Sequence, residues 1–105
     1  MEMQGHGMRN VLRILAKKGV YEVFLYMKEH EDQGYNAIVS HMVSEKLVKS
    51  KTSANTAITK LASIGLLERR ITNARPPRVC YKVNKKGVVV LRCLKEIEMI
   101  TGSTR

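Results

Sequence analysis

Residues 51–70, KTSANTAITKLASIGLLERR, begin with a helical pattern whose two faces differ in chemistry. Ala54, Ile58 and Leu61 recur at i, i+4 and i+7, which places three apolar side chains on one helical stripe. The opposite face holds small hydrogen-bonding groups and cations, without a carboxylate: Lys51, Thr52, Ser53, Asn55, Thr56, Thr59, Lys60 and Ser63. A face serving solubility alone would normally include glutamate, which pairs with lysine one turn away. The pattern therefore favours a helix that binds a polyanion, with an ordinary solvated helix as the alternative.

The groups on this face suit two different parts of a nucleic acid. Lys51 and Lys60 can neutralise phosphates. Short side chains can reach base edges, and the candidates for this role are Thr52, Ser53, Asn55, Thr56 and Thr59. Ser50 is a plausible N-cap, and Gly65 can end the helix in the left-handed conformation. The predicted recognition helix therefore spans about 51–63.

Two strands and a basic loop follow this helix. The first strand is predicted over 66–72 and the second over 78–83, where apolar and polar residues alternate with the period of a half-buried strand. The loop between them, NARPP, contains two prolines, which need no ladder hydrogen bonds. This predicts a hairpin wing over 69–78 whose arginines contact the backbone or minor groove: Arg69, Arg70, Arg75 and Arg78. The alternative is a hairpin that only covers the edge of the core.

Helical periodicity is also found before the helix over 51–63 and after the hairpin. Helices are predicted over 8–17, 20–31, 37–47 and 85–100, with Phe24 near the centre of the core. Asn36 and Asn84 are predicted to cap the third and the last of these, and Tyr35 to form a brief edge strand. The helix from 37 and the helix from 51 together make a helix-turn-helix. The fold class is therefore mainly α with a small β hairpin.

The last helix, KKGVVVLRCLKEIEMI, is apolar beyond the single stripe that one small domain needs. The helix over 8–17 has an apolar stripe of its own. We therefore predict a homodimer joined through these two helices, and the candidate interface residues are Val11, Leu12, Leu15, Leu91, Leu94, Ile97 and Ile100. In the alternative, the last helix wraps its own domain and the chain is a monomer.

A chain of 105 residues suits one domain, predicted over 8–100 between a flexible leader, 1–7, and a flexible tail, 101–105. No apolar run approaches the roughly eighteen residues of a membrane span, and no signal-peptide core is visible, so a cytoplasmic location is expected. Cys80 and Cys93 form neither a zinc pattern nor a disulfide framework, and the histidines are scattered. We therefore expect neither a metal nor a cofactor, and no effector ligand is indicated.

The net charge of +10 is confined to the middle of the chain. Residues 36–92 hold twelve Lys and Arg against two acids, Glu45 and Glu68, whereas residues 1–35 and 93–105 each balance. A nucleic-acid-binding surface explains such segregation and solubility alone does not.

Two motifs make the chain resemble a known family. The order helix, helix, helix-turn-helix, hairpin, helix resembles the winged helix-turn-helix transcription regulators of bacteria and archaea. The run TAITKLASIGLLERR followed by PPRVCYKVNKKG is most similar to the HxlR-type regulators, relatives of the MarR type. Their GL(L/V)xR element is matched here by Gly65, Leu66, Leu67 and Arg69. Their wing motif PPRVxYxLTxxG is matched by Pro76, Pro77, Arg78, Val79, Tyr81 and Gly87.

The chain departs from that family pattern in three places. Asn84, Lys85 and Lys86 stand where such proteins often have Thr-Glu/Asp-x. The segment between 36 and 50 is several residues longer than in the family pattern. Many HxlR-type redox sensors carry a cysteine near the N-terminus, whereas the first cysteine here is Cys80. The resemblance implies the fold and DNA binding, and it implies nothing about an inducer.

These observations favour a sequence-specific regulator that binds double-stranded DNA. A winged-helix module for protein–protein contacts is the alternative, although lysine is depleted in protein interfaces. Single-stranded RNA is disfavoured because, among the aromatic residues, only Tyr35 looks free to stack on a base. No paired carboxylates, nucleophile with a base or phosphate-binding glycine loop is visible, so we do not expect an enzyme.

Overall fold

Five helices and one two-stranded hairpin make up the computed structural model, which describes residues 7–31, 34–71, 73 and 75–102. In chain order the elements are α1 (Met8–Ala16), α2 (Val20–Glu29), α3 (Tyr35–Ser44), α4 (Lys51–Ser63), β1 (Leu67–Ile71), β2 (Val79–Val83) and α5 (Lys85–Ile97). A π-helical turn, Glu98–Gly102, continues α5. The order is that of a winged helix-turn-helix, so the predicted fold class is confirmed.

The hydrophobic core lies where α2, α3 and α4 meet. Phe24, Met42, Ile58 and Leu61 all have 0% of their surface exposed, and Ala54 is equally buried. The predicted apolar stripe of α4 is therefore the side that packs. Burying a side chain of the size of leucine stabilises the fold by about 1.5–3 kcal/mol. Because this packing sets the rotation of α4 about its axis, the opposite, polar face is directed outward.

Three capping residues fix the ends of α4 and the start of α5. The Ser50 hydroxyl accepts a hydrogen bond from the Ser53 backbone N–H at 3.1 Å. Gly65 has φ 82°, the left-handed conformation expected just past a helix. Asn84 accepts from the Gly87 N–H at 2.8 Å and donates through Nδ2 to the Gly65 carbonyl at 2.9 Å. One asparagine therefore caps α5 and also ties it to the end of α4.

The hairpin is antiparallel and projects from the core. Its register pairs Leu67 with Val83 at the base and Ile71 with Val79 near the tip. Burial falls along it, since Val83 is buried, Tyr81 is half-buried and Val79 is exposed. The predicted period-2 face is thus fully buried only at the base, and it is half-buried at Tyr81. The outer part of the hairpin stands clear of the core.

The start of α3 differs from prediction. Tyr35 is the first residue of the helix, so the predicted edge strand is wrong, and Gly34 takes the N-cap position assigned to Asn36. No side chain makes a cap hydrogen bond there. The helix begins early because Tyr35 packs against the partly buried Tyr81 of β2, a contact that local sequence does not reveal. Residues 32 and 33, just before this helix, lie outside the described residues.

Other boundaries shift by a few residues. α1 ends at Ala16 and α2 at Glu29, slightly before the predicted ends, and Gly19 at φ 85° separates the two helices. Thr101 and Gly102, placed in the tail by the sequence analysis, continue the last helix as a π-helical turn. The rest of the predicted leader and tail, 1–6 and 103–105, lies outside the described residues. Among the described residues, no helix is long and apolar enough to cross a membrane.

Candidate nucleic-acid interface

The polar face of α4 is turned to solvent along the helix. Six of the seven predicted contact residues on it are exposed, and the seventh, Lys60, is half-buried. Five of them line one shallow depression: Thr52, Asn55, Thr56, Thr59 and Lys60. The structure therefore brings the predicted base-facing groups together on one surface, with Lys51 at the N-terminal end of the same helix.

Hydrogen bonds within α4 decide what each hydroxyl can offer a ligand. Thr56 donates its hydroxyl proton to the Thr52 carbonyl at 2.9 Å, so it presents acceptor lone pairs and a methyl group outward. Ser53 accepts from the Ser50 hydroxyl at 3.2 Å, which leaves its own proton available for donation. The face therefore combines donors and acceptors in a fixed order along the helix.

Asn55, the longest uncharged side chain of this face, has a partner on another helix. The Tyr35 hydroxyl, at the start of α3, donates to Asn55 Oδ1 at 3.2 Å. The Tyr35 ring in turn lies 6.3 Å from the Tyr81 ring, centroid to centroid, at an interplanar angle of 53°. Such a tilted arrangement is favourable for two aromatic rings. Tyr35 thus lies between α4 and β2.

The wing carries exposed arginines whose environments differ. Arg69, Arg70, Arg75 and Arg78 are all exposed. Arg70 Nε lies 2.5 Å from Glu68 Oε2, and both side chains of this ion pair are largely open to solvent. An exposed pair contributes little stability, so a phosphate can replace Glu68, but Arg70 is partly neutralised until that happens. Arg69 and Arg70 also lie on opposite faces of β1 because side chains alternate along a strand.

The terminal helices form a second surface, apolar rather than basic. One open groove is lined by residues of α1, α2 and the end of α5: Leu12, Leu15, Ala16, Tyr21, Leu94, Ile97 and Glu98. Leu12, Ile97 and Ile100 are 53%, 55% and 77% exposed. Among the remaining predicted interface residues, Val11 and Leu94 are half-buried. Leu15 and Leu91 are buried within the single protomer, so they pack beneath this surface.

Metal-ligand geometry is not found in the described part of the chain, where no group of three or more His, Cys, Asp or Glu residues could hold a metal ion. Cys80 is half-buried and Cys93 is exposed, and both are free thiols.

Tyr35 contacts the polar face of α4, which the sequence did not indicate. Tyr35 was predicted to be a free aromatic residue, whereas the ring is half-buried and its hydroxyl is bonded to Asn55. Hydropathy, charge and spacing gave no signal for this contact, since its two residues are 20 positions apart and belong to different helices.

Comparison with known proteins finds a likeness in structure. No family model matches the sequence, and no curated protein matches it. Among solved structures, the chain is similar to a protein from Porphyromonas gingivalis W83 that is assigned as a transcriptional regulator of the MarR family. The TM-score is 0.60, and the match covers 100% of this chain and 98% of that chain at 17% sequence identity. The resemblance to a MarR-type winged helix is thereby confirmed at the level of the fold.

Proposed function

We propose that this protein is a sequence-specific transcriptional regulator that binds double-stranded DNA as a homodimer. In this proposal α4 enters the major groove, and the hairpin 69–78 contacts the backbone or the minor groove. The observation that carries it is the exposed, carboxylate-free face of α4 beside a projecting arginine hairpin. Support also comes from the likeness in fold to a protein assigned as a transcriptional regulator. Such a regulator would act in the cytoplasm. The similarity of residues 56–87 to the HxlR-type regulators stays a prediction.

The two sets of contact residues would have separate roles. Thr52, Ser53, Asn55, Thr56 and Thr59 would contact base edges, since their donors and acceptors face outward from one helix. Lys51, Lys60, Arg69, Arg70, Arg75 and Arg78 would contact phosphates and so hold the protein in register. Base contacts determine which sequence is bound, whereas phosphate contacts contribute to binding on any duplex.

Asn55→Ala tests the assignment of the base contacts. Asparagine can make a bidentate contact to adenine N6 and N7. We expect the variant to lose about 1–3 kcal/mol of binding free energy on the preferred site and little on random duplex. The preferred site is first selected from random duplex DNA, and both affinities are then measured by fluorescence anisotropy at one salt concentration.

The matched control for this experiment is Ser63→Ala, at the last turn of the same helix. Ser63 bonds the Lys60 carbonyl at 2.6 Å and is not among the proposed contacts, so its removal should leave sequence preference unchanged. An equal loss of affinity for specific and random DNA in the Asn55 variant would contradict its role. If the unmodified protein selects no sequence, the proposed function itself is wrong.

The proposed dimer interface is the apolar surface on α1 and α5. Leu12, Ile97 and Ile100 are more than half exposed, and the groove between α1 and α5 is open. A second copy is the occupant we propose because the terminal segments 1–35 and 93–105 balance in charge, whereas the middle segment is strongly basic. Two copies can therefore approach here without the repulsion that the basic surface would cause. A two-fold dimer of this kind would present two α4 helices to successive major grooves about 34–36 Å apart.

Light scattering on the unmodified protein should give the mass of a dimer. Ile100→Glu should shift the mass toward the monomer without unfolding the chain, since this side chain is exposed in the single protomer. Ile71→Glu, at an exposed apolar position on the hairpin, should leave the dimer intact. A monomer mass for the unmodified protein, at concentrations well above those that saturate DNA, would rule the dimer out.

A further inference from the structure

The carboxamide of Asn55 has two orientations that present opposite chemistry to a base. Oδ1 is an acceptor and Nδ2 is a donor, and a half-turn of the amide exchanges their positions. A bidentate contact to adenine needs both groups in one order, with Oδ1 toward the N6 amino group and Nδ2 toward N7. A free, exposed asparagine would also have to fix the position of its side chain on binding, at a cost in conformational entropy.

In this structure the Asn55 carboxamide already has a hydrogen-bond partner on another helix. Tyr35 donates to Oδ1 of Asn55 at 3.2 Å, across the gap between α3 and α4. An amide oxygen has two lone pairs, so one stays available for an adenine amino group, and Nδ2 keeps its protons for N7. After a half-turn, Nδ2 would donate to the same hydroxyl, because a phenolic oxygen accepts as well as donates. The bond to Tyr35 therefore holds the Asn55 side chain in one place on α4, and adenine then selects the order of the two amide atoms.

The Tyr35 ring is itself held in place. It is half-buried, packs against the core and lies beside the Tyr81 ring of β2. Burial, with Tyr81 and Cys80 nearby, raises the pKa of the Tyr35 hydroxyl above its ordinary value. Near neutral pH the hydroxyl therefore keeps its proton, so it can donate to Oδ1 of Asn55.

We propose that Tyr35 is a specificity-determining positioning residue, whose hydroxyl holds the Asn55 side chain in place on α4 for a contact to adenine in the major groove. This inference rests on the proposed function, since it needs Asn55 to contact a base. Tyr35 itself contacts no DNA in this scheme and acts through Asn55. Because its ring also contacts the Tyr81 ring, Tyr35 also fixes the position of β2 relative to α4.

Tyr35→Phe tests the proposal because it removes the hydroxyl and keeps the ring. We expect affinity for the preferred site to fall about two- to tenfold, the effect of one lost hydrogen bond, with affinity for random duplex unchanged. The adenine preference at the Asn55-dependent position should weaken in a binding series that carries each base there. In the Asn55→Ala background the same substitution should have no further effect, since residues that act through one another are not additive.

Ser44→Ala is the matched control, because it removes an exposed hydroxyl from the other end of α3, where Ser44 donates to the His41 carbonyl at 3.1 Å. It should bind specific and random DNA like the unmodified protein. Thermal unfolding of each variant shows whether the fold is retained.

The outcomes separate this inference from the proposed function. A protein that selects no sequence overturns the proposed function. If the protein selects a site and needs Asn55, but Tyr35→Phe keeps full discrimination, the positioning role is wrong. A Tyr35→Phe variant that loses specific and random binding equally would show a structural role only and would also overturn it.

Discussion

The affinity of this protein for duplex DNA should fall about a thousandfold per bound protomer between roughly 50 and 200 mM salt. Six cations are proposed to contact phosphate: Lys51, Lys60, Arg69, Arg70, Arg75 and Arg78. Each neutralised phosphate releases counterions and contributes about 0.9 to the slope of log affinity against log salt, so six give about −5 per protomer. A titration of the dissociation constant on random duplex, followed by anisotropy, measures this slope directly.

Single charge removals refine the test. Arg69→Gln should reduce the slope by about one unit, whereas Arg70→Gln should reduce it less because Arg70 must first leave Glu68. Lys28→Gln is the control, since Lys28 lies on α2, outside the proposed surface, and pairs with Glu31 at 3.6 Å. An affinity that hardly changes with salt would exclude an electrostatic mode of binding.

Gly87→Ala should destabilise the protein by about 3 kcal/mol, the upper range for overpacking a tight site. A Cβ at this position would overlap the backbone carbonyl of Leu66 and would lie 2.7 Å from Cγ1 of Val83. The Val83 methyl can move, but the carbonyl cannot move freely because it accepts a hydrogen bond from the Asn84 N–H at 3.2 Å. The gain in helix propensity on replacing glycine, about 1 kcal/mol, is too small to offset this overlap.

Thermal unfolding followed by circular dichroism should show Tm lowered by more than about 10 °C for Gly87→Ala. Gly102→Ala is the matched control, because nothing lies within 4 Å of a Cβ there and its φ is not positive. An unchanged Tm for the Gly87 variant would mean that α5 can move away from Leu66. Such a result would contradict the close approach of α5 to the end of α4.

The motif resemblance pointed to Gly87 without a physical reason, and the structure supplies one. Glycine is needed where α5 starts against the Leu66 backbone, a contact between elements that come together only in the folded chain. The same holds for Asn84, which was predicted as a cap from its position alone. Its second bond, to the Gly65 carbonyl, depends on β2 bringing the start of α5 back beside the end of α4.

The apolar pattern of the last helix predicted an apolar surface but did not show which of its residues are exposed. Excess hydrophobicity on the last helix was visible in the sequence, but the pattern did not separate Leu91, which packs inside its own domain, from Ile97, which is exposed. Both lie on apolar stretches, and which of them is covered depends on how α5 is placed against the rest of the fold.

Local sequence by itself determined the helices, their caps at Ser50 and Asn84, the two faces of α4 and the basic hairpin. Each of these follows from neighbours within about one helical turn or from strand alternation. Tertiary structure alone decided that Tyr35 begins α3 and bonds Asn55, and that the hairpin is fully buried only at its base. The physical reason is that hydrogen bonds, ion pairs and burial depend on distances in space, and packing α2, α3 and α4 around Phe24 sets most of those distances.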